Sequence, residues 1–85
     1  MTATESEILD AVSDVVRLAL RLGPEASQLG PDTPLTAFGL DSLNIIDVLL
    51  GIEQRFNLSF DDADLDLTVF DTVRSLSGFV HARLG

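Results

Sequence analysis

The chain is short and strongly acidic. Its 85 residues hold 14 Asp and Glu against five Arg and no Lys, for a formal net charge of −9 at pH 7. This length predicts one domain, and charge of this density repels phosphate backbones and anionic lipid, which excludes nucleic acid and membrane surfaces as expected partners. The absence of cysteine excludes a disulfide framework, a zinc–thiolate site and a catalytic thiol.

Apolar residues at three- and four-residue spacing predict a first helix over residues 4–22. They form one stripe: Ile8, Val12, Val15, Val16, Ala19 and Leu22. Acidic side chains crowd the start of this helix and Arg17 and Arg21 lie near its end, which complements the helix dipole. Gly23 and Pro24 are predicted to stop it.

A long connection follows, over residues 23–40, and it contains three glycines and three prolines. Loops of this length are uncommon inside a small domain, and those that occur are usually functional or disordered. Leu29, Leu35 and Phe38 indicate a loop that packs onto the core rather than a free tether.

The second helix is predicted over residues 42–56, with Asp41 as its N-cap and Asn57 as its stop. Its core face has apolar residues at the spacing of one helical stripe: Ile45, Val48, Leu49, Ile52 and Phe56. Gly51 inside this helix costs about 1 kcal/mol relative to alanine. It is either simply tolerated or allows another element or a ligand to approach closely.

The second helix also carries a second apolar row, Leu43, Ile46 and Leu50, which we call the apolar strip. Its polar neighbours are Asn44, Asp47, Glu53 and Gln54. One interpretation packs the strip under the long loop. The other leaves it exposed as a docking face rimmed by polar groups, and its position beside Ser42 favours this second interpretation.

The C-terminal part predicts a short acidic helix over residues 61–66 and a last helix over residues 69–83. Thr68 is the predicted cap of the last helix, with Asp71 completing a weaker capping box. The DADLD run at 62–66 lacks the glycine and the glutamate of a calcium loop, so no intrinsic metal site is expected. Three main helices and a short fourth predict an all-α bundle.

Two stretches of the sequence bear on the localisation of the protein. The acidic, polar stretch MTATESEILD is unlike a secretory signal, and the apolar run at 43–52 is too short to span a bilayer. We therefore expect a cytoplasmic, monomeric protein.

A catalytic serine would need the single histidine, His81, to fold back beside Ser42. No phosphate loop, metal-spaced His pair or nucleotide fingerprint accompanies them, so we expect no enzyme.

Ser42 has another possible chemistry, as an attachment point. In the first turn of a helix, free backbone amides and the positive dipole end would favour a phosphodiester on its hydroxyl. Asp41 opposes that charge unless a metal ion or a basic partner neutralises it, which a modifying enzyme carrying Mg²⁺ could do.

The stretch LTAFGLDSLNIIDVLLGIEQRF, at 35–56, resembles the core of the acyl carrier proteins and the related aminoacyl or peptidyl carriers. The Asp41-Ser42-Leu43 motif, the preceding glycine and the amphipathic helix ending in Phe56 carry the resemblance, which extends over about residues 4–83. It implies a four-helix bundle of acyl-carrier type, with a long first loop and a short third helix.

The resemblance also implies a function. Ser42 would carry 4′-phosphopantetheine, whose thiol holds acyl groups as thioesters, and Asp41 would help to place Mg²⁺ during modification. The implied partners are a phosphopantetheinyl transferase, an acyl- or aminoacyl-loading enzyme, and ketosynthase, condensation or other acyl-processing enzymes. The face that they recognise would comprise Leu43, Asn44, Ile46, Asp47, Leu50 and Glu53.

Three positions depart from the fatty-acid type of carrier. Asn44, Gln54 and Arg55 stand where that type usually has acidic residues. We therefore expect a discrete acyl carrier of a polyketide, nonribosomal-peptide or other specialised pathway. An aminoacyl or peptidyl carrier stays open as an alternative, and so does an unmodified helical interaction module in which Ser42 only begins a helix.

Overall fold

The computed structural model describes residues 4–60 and 67–84, and every regular element in these two ranges is helical. The α-helices are α1 (Glu5–Ala19), α2 (Ile45–Phe56) and α3 (Val73–Leu84), and 3₁₀ turns occupy Pro24–Gln28, Leu35–Phe38 and Leu67–Phe70. The all-α prediction is confirmed. The predicted short helix over residues 61–66 and the DADLD run at 62–66 lie outside the described residues.

Helix α1 begins with a reciprocal cap. The Thr4 hydroxyl accepts a hydrogen bond from the Glu7 amide (3.1 Å), while the Glu7 carboxylate accepts one from the Thr4 amide (3.3 Å). This capping box satisfies amides that would otherwise lack an intrahelical partner. The predicted stripe is confirmed at its centre: Ile8, Val12, Val15 and Val16 are all buried.

The end of α1 differs from the prediction. The helix stops at Ala19 rather than at residue 22, because Arg21 adopts the left-handed conformation with φ 54°. The Arg21 amide donates to the carbonyl of Leu18 and the Leu22 amide to that of Arg17, which satisfies two terminal carbonyls in a Schellman-type ending. The chain has therefore already turned before Gly23 and Pro24.

Helix α1 packs against both α2 and α3. The α2 face that the pattern predicted is confirmed, with Val48 and Ile52 fully buried and the rest of that stripe partly buried against the core. Gly51 lies where the two helices approach closely, since a Cβ atom there would be 2.7 Å from Cγ1 of Val15. Of the two hypotheses for Gly51, close approach is confirmed.

The long connection is fastened to the start of α3. The Leu35 amide donates to the Asp71 carbonyl and the Arg74 amide to the Pro31 carbonyl, both at 2.8 Å. The Arg74 guanidinium also forms a two-point ion pair with Asp32, at 2.7 and 3.2 Å. The Leu35 side chain is fully buried. The prediction that this loop packs onto the core is confirmed.

Helix α3 begins later than predicted, at Val73 rather than at residue 69. Its cap is formed by Thr72, whose hydroxyl accepts from the Ser75 amide (3.1 Å) while the Ser75 hydroxyl accepts from the Thr72 amide (3.1 Å). The predicted Thr68 cap is wrong, because Thr68 belongs to a separate 3₁₀ turn that buries Phe70.

The chain after α2 is held against α3. Asn57 ends α2 as predicted, in the left-handed conformation (φ 55°). The Glu53 carboxylate then accepts a hydrogen bond from the Phe60 amide at 2.9 Å. The Phe60 ring lies 5.0 Å from that of Phe79, and the Arg83 guanidinium lies within 6 Å of both ring centroids. No helix of the described ranges is long and apolar enough to cross a membrane.

Candidate functional site

Ser42 lies on a turn between the loop and α2. The 3₁₀ turn Leu35–Phe38 ends at Gly39, whose φ of 98° is strained for any residue with a side chain. The Leu40 amide then donates back to the Leu35 carbonyl at 3.2 Å. The buried Leu35 side chain and the Gly39 bend together aim the next residues away from the core.

Asp41 and Asn44 hold the turn from both sides of Ser42. The Asp41 carboxylate accepts from the amides of Leu43 (2.9 Å) and Asn44 (3.0 Å) through the same oxygen. The Asn44 side chain accepts from the Asp41 amide (2.7 Å) and donates to the Gly39 carbonyl (2.8 Å). Asp41 therefore accepts from the amides that follow it, but the prediction that it is the N-cap of the second helix is wrong, because α2 begins at Ile45 and its N-cap is Asn44. Asn44 has a structural role that its sequence position did not reveal.

The Ser42 side chain is exposed, and within residues 4–60 and 67–84 its hydroxyl has no hydrogen-bond partner. It precedes the helix, since α2 begins at Ile45 rather than at residue 42. We expected free backbone amides beside Ser42 that could bind a phosphodiester. The amides of Leu43, Asn44 and Ile45 are not free. Their N–H groups already donate to Asp41.

The apolar strip is exposed. Leu43, Ile46 and Leu50 have exposed fractions of 85%, 51% and 48%, so the interpretation that packed them under the long loop is wrong. Asp47 is exposed beside them, whereas Asn44 and Glu53 are partly buried. The Glu53 carboxylate binds the Phe60 amide, which gives it a structural role, and its contact with partners stays a prediction.

His81 lines a cleft between α1 and α3 together with Glu5, Leu9 and Arg74. It makes no hydrogen bond with Ser42 in the described part of the chain. A serine nucleophile activated by this histidine therefore has no support in the geometry.

The exposed surface also includes a residue that the helical pattern did not single out. Leu18 of α1 is 80% exposed and lies outside the buried stripe. It lines a groove shared with Leu50 of α2. Leu18 follows Val15 by three residues, which is the spacing of the buried stripe itself, so the sequence pattern carries no sign of its exposure.

The geometry around Ser42 fits a covalently attached group. The hydroxyl points from a turn whose backbone is fixed by its neighbours, so a bulky substituent displaces no packed side chain. The second carboxylate oxygen of Asp41 makes no hydrogen bond in the described residues, which leaves it open to a cation during modification.

Comparison with known proteins identifies relatives along nearly the whole chain. The family model of the phosphopantetheine attachment site matches residues 6–80. The acyl carrier protein of Thermotoga maritima is 30% identical over 84 residues, which are 98% of this chain and 99% of that protein. Aminoacyl carrier protein 1 of Bradyrhizobium diazoefficiens is 23% identical over 84 residues, 99% of this chain and 93% of that protein.

One chloroplast relative is longer. The match to acyl carrier protein 4 of Arabidopsis thaliana is 31% identical over 62 residues, which are 73% of this chain and 44% of that protein.

A solved structure shares the fold. The solution structure of a holo acyl carrier protein from Nitrosomonas europaea matches with a TM-score of 0.79 and 31% identity, over 89% of this chain and 94% of that one. The acyl-carrier type of fold is thereby confirmed, and the cofactor of the chain is covalently attached 4′-phosphopantetheine. The chain belongs to the family of phosphopantetheine-binding carrier proteins.

Proposed function

We propose that this protein is a discrete acyl carrier whose 4′-phosphopantetheine is attached to Ser42. The observation that carries the proposal is the exposed Ser42 hydroxyl on a turn fixed by Asp41 and Asn44. The thiol of the attached arm supplies the chemistry by holding an acyl group as a thioester. The protein itself acts as substrate and shuttle rather than as an enzyme.

The residues around Ser42 have separate roles in this proposal. Asp41 holds the turn with one carboxylate oxygen and offers the other to the Mg²⁺ of the modifying enzyme. The apolar strip begins at Leu43, directly after Ser42. An enzyme that binds the strip is therefore positioned next to the Ser42 hydroxyl. Asp47, Asn44 and Glu53 lie beside the strip and form the polar edge that partner enzymes recognise.

The proposed partners follow from the chemistry of a carrier. They are a phosphopantetheinyl transferase, an acyl-loading enzyme, and a ketosynthase, condensation or other acyl-processing enzyme. We place the carrier in a polyketide, nonribosomal-peptide or other specialised pathway, because Asn44, Gln54 and Arg55 make the recognition helix less acidic than the fatty-acid type. The proposal includes a cytoplasmic, monomeric protein.

Aminoacyl loading is the second candidate function. The relative from Bradyrhizobium diazoefficiens aligns with almost the whole chain and is an aminoacyl carrier protein. The same attachment chemistry serves either cargo, so the two candidates differ only in the loading enzyme and the acyl group.

Attachment is tested by intact mass. The purified chain is incubated with coenzyme A, Mg²⁺ and a broad-specificity phosphopantetheinyl transferase. We expect the mass to rise by one phosphopantetheine in the wild type and to stay constant in Ser42→Ala. Circular dichroism checks that both proteins are folded. An unmodified wild type with native helix content would overturn the proposal.

Loading assays on the modified protein then separate the two cargoes. Transfer from acyl donors without transfer from aminoacyl donors supports the acyl carrier, and the reverse result supports the aminoacyl carrier. Thioester formation is read as a second mass increase that hydroxylamine removes.

A further inference from the structure

An open groove of about 480 Å³ runs between α1 and α2, beside the apolar strip. Val15 and Gly51 form part of its floor, where the two helices lie closest. Leu18 of α1 and Leu50 of α2 line it from opposite helices. Because Leu50 also belongs to the apolar strip, the groove extends the exposed apolar surface from α2 onto α1.

Leu18 is the unusual residue of this groove. It is 80% exposed, whereas Ile8, Val12, Val15 and Val16 of the same helix are buried. The core of the bundle therefore does not use this leucine. An exposed leucine that adjoins an exposed strip is typical of a surface that a partner covers.

The groove carries opposite charges along its α2 side. Asp47 and Arg55 both line it, and they lie eight positions apart on the helix, or about 12 Å along the axis. Arg55 makes no ion pair in the described residues and is one of only five cationic side chains against 14 acidic ones. A complementary partner surface thus has a basic group near Asp47 and an acidic group near Arg55.

The groove lies within reach of an enzyme that acts at Ser42. From Ser42 to Arg55 the chain advances 13 residues, or about 20 Å at the rise of a helix. A standard protein interface covers about 800 Å² on each partner, which corresponds to a patch roughly 30 Å across. An interface of this size that includes Ser42 and the apolar strip can therefore include the groove as well.

We propose that this groove is a second anchoring site for the phosphopantetheinyl transferase that modifies Ser42. It receives an apolar side chain of that enzyme between Leu18 and Leu50, with a basic group facing Asp47 and an acidic group facing Arg55. The inference rests on the proposed attachment at Ser42 and adds α1 to the surface that the enzyme recognises.

Steady-state kinetics of a phosphopantetheinyl transferase, with the carrier as varied substrate, test the site. Leu18→Ser and Arg55→Glu are expected to raise KM about fivefold to tenfold, the range of an interface contact of moderate strength, with kcat within about twofold of wild type. Arg55→Lys, which keeps the charge, is expected to stay close to wild type.

Two matched controls lie outside the groove. Leu84→Ser makes the same change at an exposed leucine of α3, and Arg21→Glu makes the same change of charge at an exposed arginine. Both are expected to keep the wild-type KM. If Leu18→Ser and Arg55→Glu resemble these controls while the wild type is modified, the groove proposal is overturned and the attachment at Ser42 stands. If the folded wild type is not modified at all, both proposals fail.

The absence of native cysteine allows a second test that does not depend on turnover. Ser42→Ala carriers bearing Leu18→Cys or Leu84→Cys are alkylated with and without excess transferase, and the carrier mass is followed over time. We expect the transferase to slow alkylation at position 18 at least threefold and to leave position 84 unchanged. Equal rates at position 18 with and without the enzyme would contradict the proposal.

A second copy of the chain is the other candidate occupant of the groove, and sedimentation of the carrier alone tests for it. A monomer at all concentrations agrees with the proposal. A dimer that Arg55→Glu abolishes would overturn it in favour of a second copy of the chain, paired Asp47 to Arg55 across a two-fold axis.

Discussion

Asn44 uses both ends of its amide beside Ser42. The oxygen accepts from the Asp41 amide and the nitrogen donates to the Gly39 carbonyl, at 2.7 and 2.8 Å. A carboxylate has no donor, so the acidic residue that fatty-acid-type carriers place here could make only the first of these bonds. In this chain the amide links the loop, the serine turn and α2.

Replacing Asn44 by Asp is expected to destabilise the protein. The variant loses the bond to the Gly39 carbonyl and places negative charge against that oxygen, so we expect the free energy of unfolding to fall by about 1 kcal/mol. Urea denaturation followed by circular dichroism measures the change. Gln54→Glu is the matched control, since it makes the same amide-to-acid change at an exposed residue of α2. Equal stability of the two variants would show that the hydrogen bond from Asn44 to the Gly39 carbonyl contributes nothing to the free energy of unfolding.

The α1–α2 contact is set by the absence of a side chain at residue 51. Val15 is β-branched and has little rotamer freedom within a helix, so its Cγ1 cannot easily move away from a new Cβ only 2.7 Å distant. The helices would have to separate or Val15 would have to leave its preferred rotamer. The same packing shapes the floor of the groove that Leu18 and Leu50 border.

Gly51→Ala is therefore expected to destabilise the protein despite the higher helix propensity of alanine. Overpacking costs about 1–3 kcal/mol, against a propensity gain of about 1 kcal/mol. Gly78→Ala is the control, because a Cβ at this position of α3 meets nothing within 4 Å and should stabilise the protein by up to about 1 kcal/mol. Thermal or urea unfolding compares the two. A stabilised Gly51→Ala would refute the close-packing argument.

Some features of the elements could be predicted from sequence and others could not. The buried stripe of α1 follows from its three- and four-residue spacing. The start of α3 does not, because Thr68 with Asp71 and Thr72 with Ser75 both resemble caps. Burial of Phe70 and Val73 selects the second pair, and that burial depends on packing against other helices.

In the site, too, some features could be predicted from sequence and others depend on how the chain folds. The acceptance of nearby amides by Asp41 follows from local sequence, and the exposure of the apolar strip follows from the limited size of the bundle. The bond from the Phe60 amide to Glu53 spans seven residues, and it depends on the path of the chain after α2. Leu18 and Leu50 come to line one groove only once α1 and α2 are packed.

The ion pair between Asp32 and Arg74 links the loop to α3, between residues that are 42 positions apart in the sequence. The hydrogen-bonded Arg74 guanidinium lowers the pKa of Asp32 below its ordinary value of 3.8, so the folded protein favours the charged carboxylate. The resulting stability is present above the unfolded pKa and is lost as the pH falls through the lower folded pKa. Both side chains are exposed, so the contribution is small and is screened by salt.

Asp32→Asn is expected to be slightly less stable than the wild type at pH 7, and this difference is expected to shrink as the pH falls through the lowered pKa of the folded Asp32 carboxyl. Urea unfolding at several pH values measures the difference, which should also shrink at 1 M NaCl. Asp10→Asn makes the same change at an exposed position without an ion pair in the described residues and serves as the control. A constant difference for Asp32→Asn would contradict the proposed coupling.

The two backbone hydrogen bonds that join Leu35 to Asp71 and Arg74 to Pro31 affect how the protein fluctuates. Because they join the loop to the start of α3, we expect the segment ahead of Ser42 to open together with the separation of the loop from α3. The turn is consequently already ordered when a partner arrives, and no folding of the segment has to accompany binding. Enzymes that meet the carrier one after another would therefore encounter the same preformed surface each time.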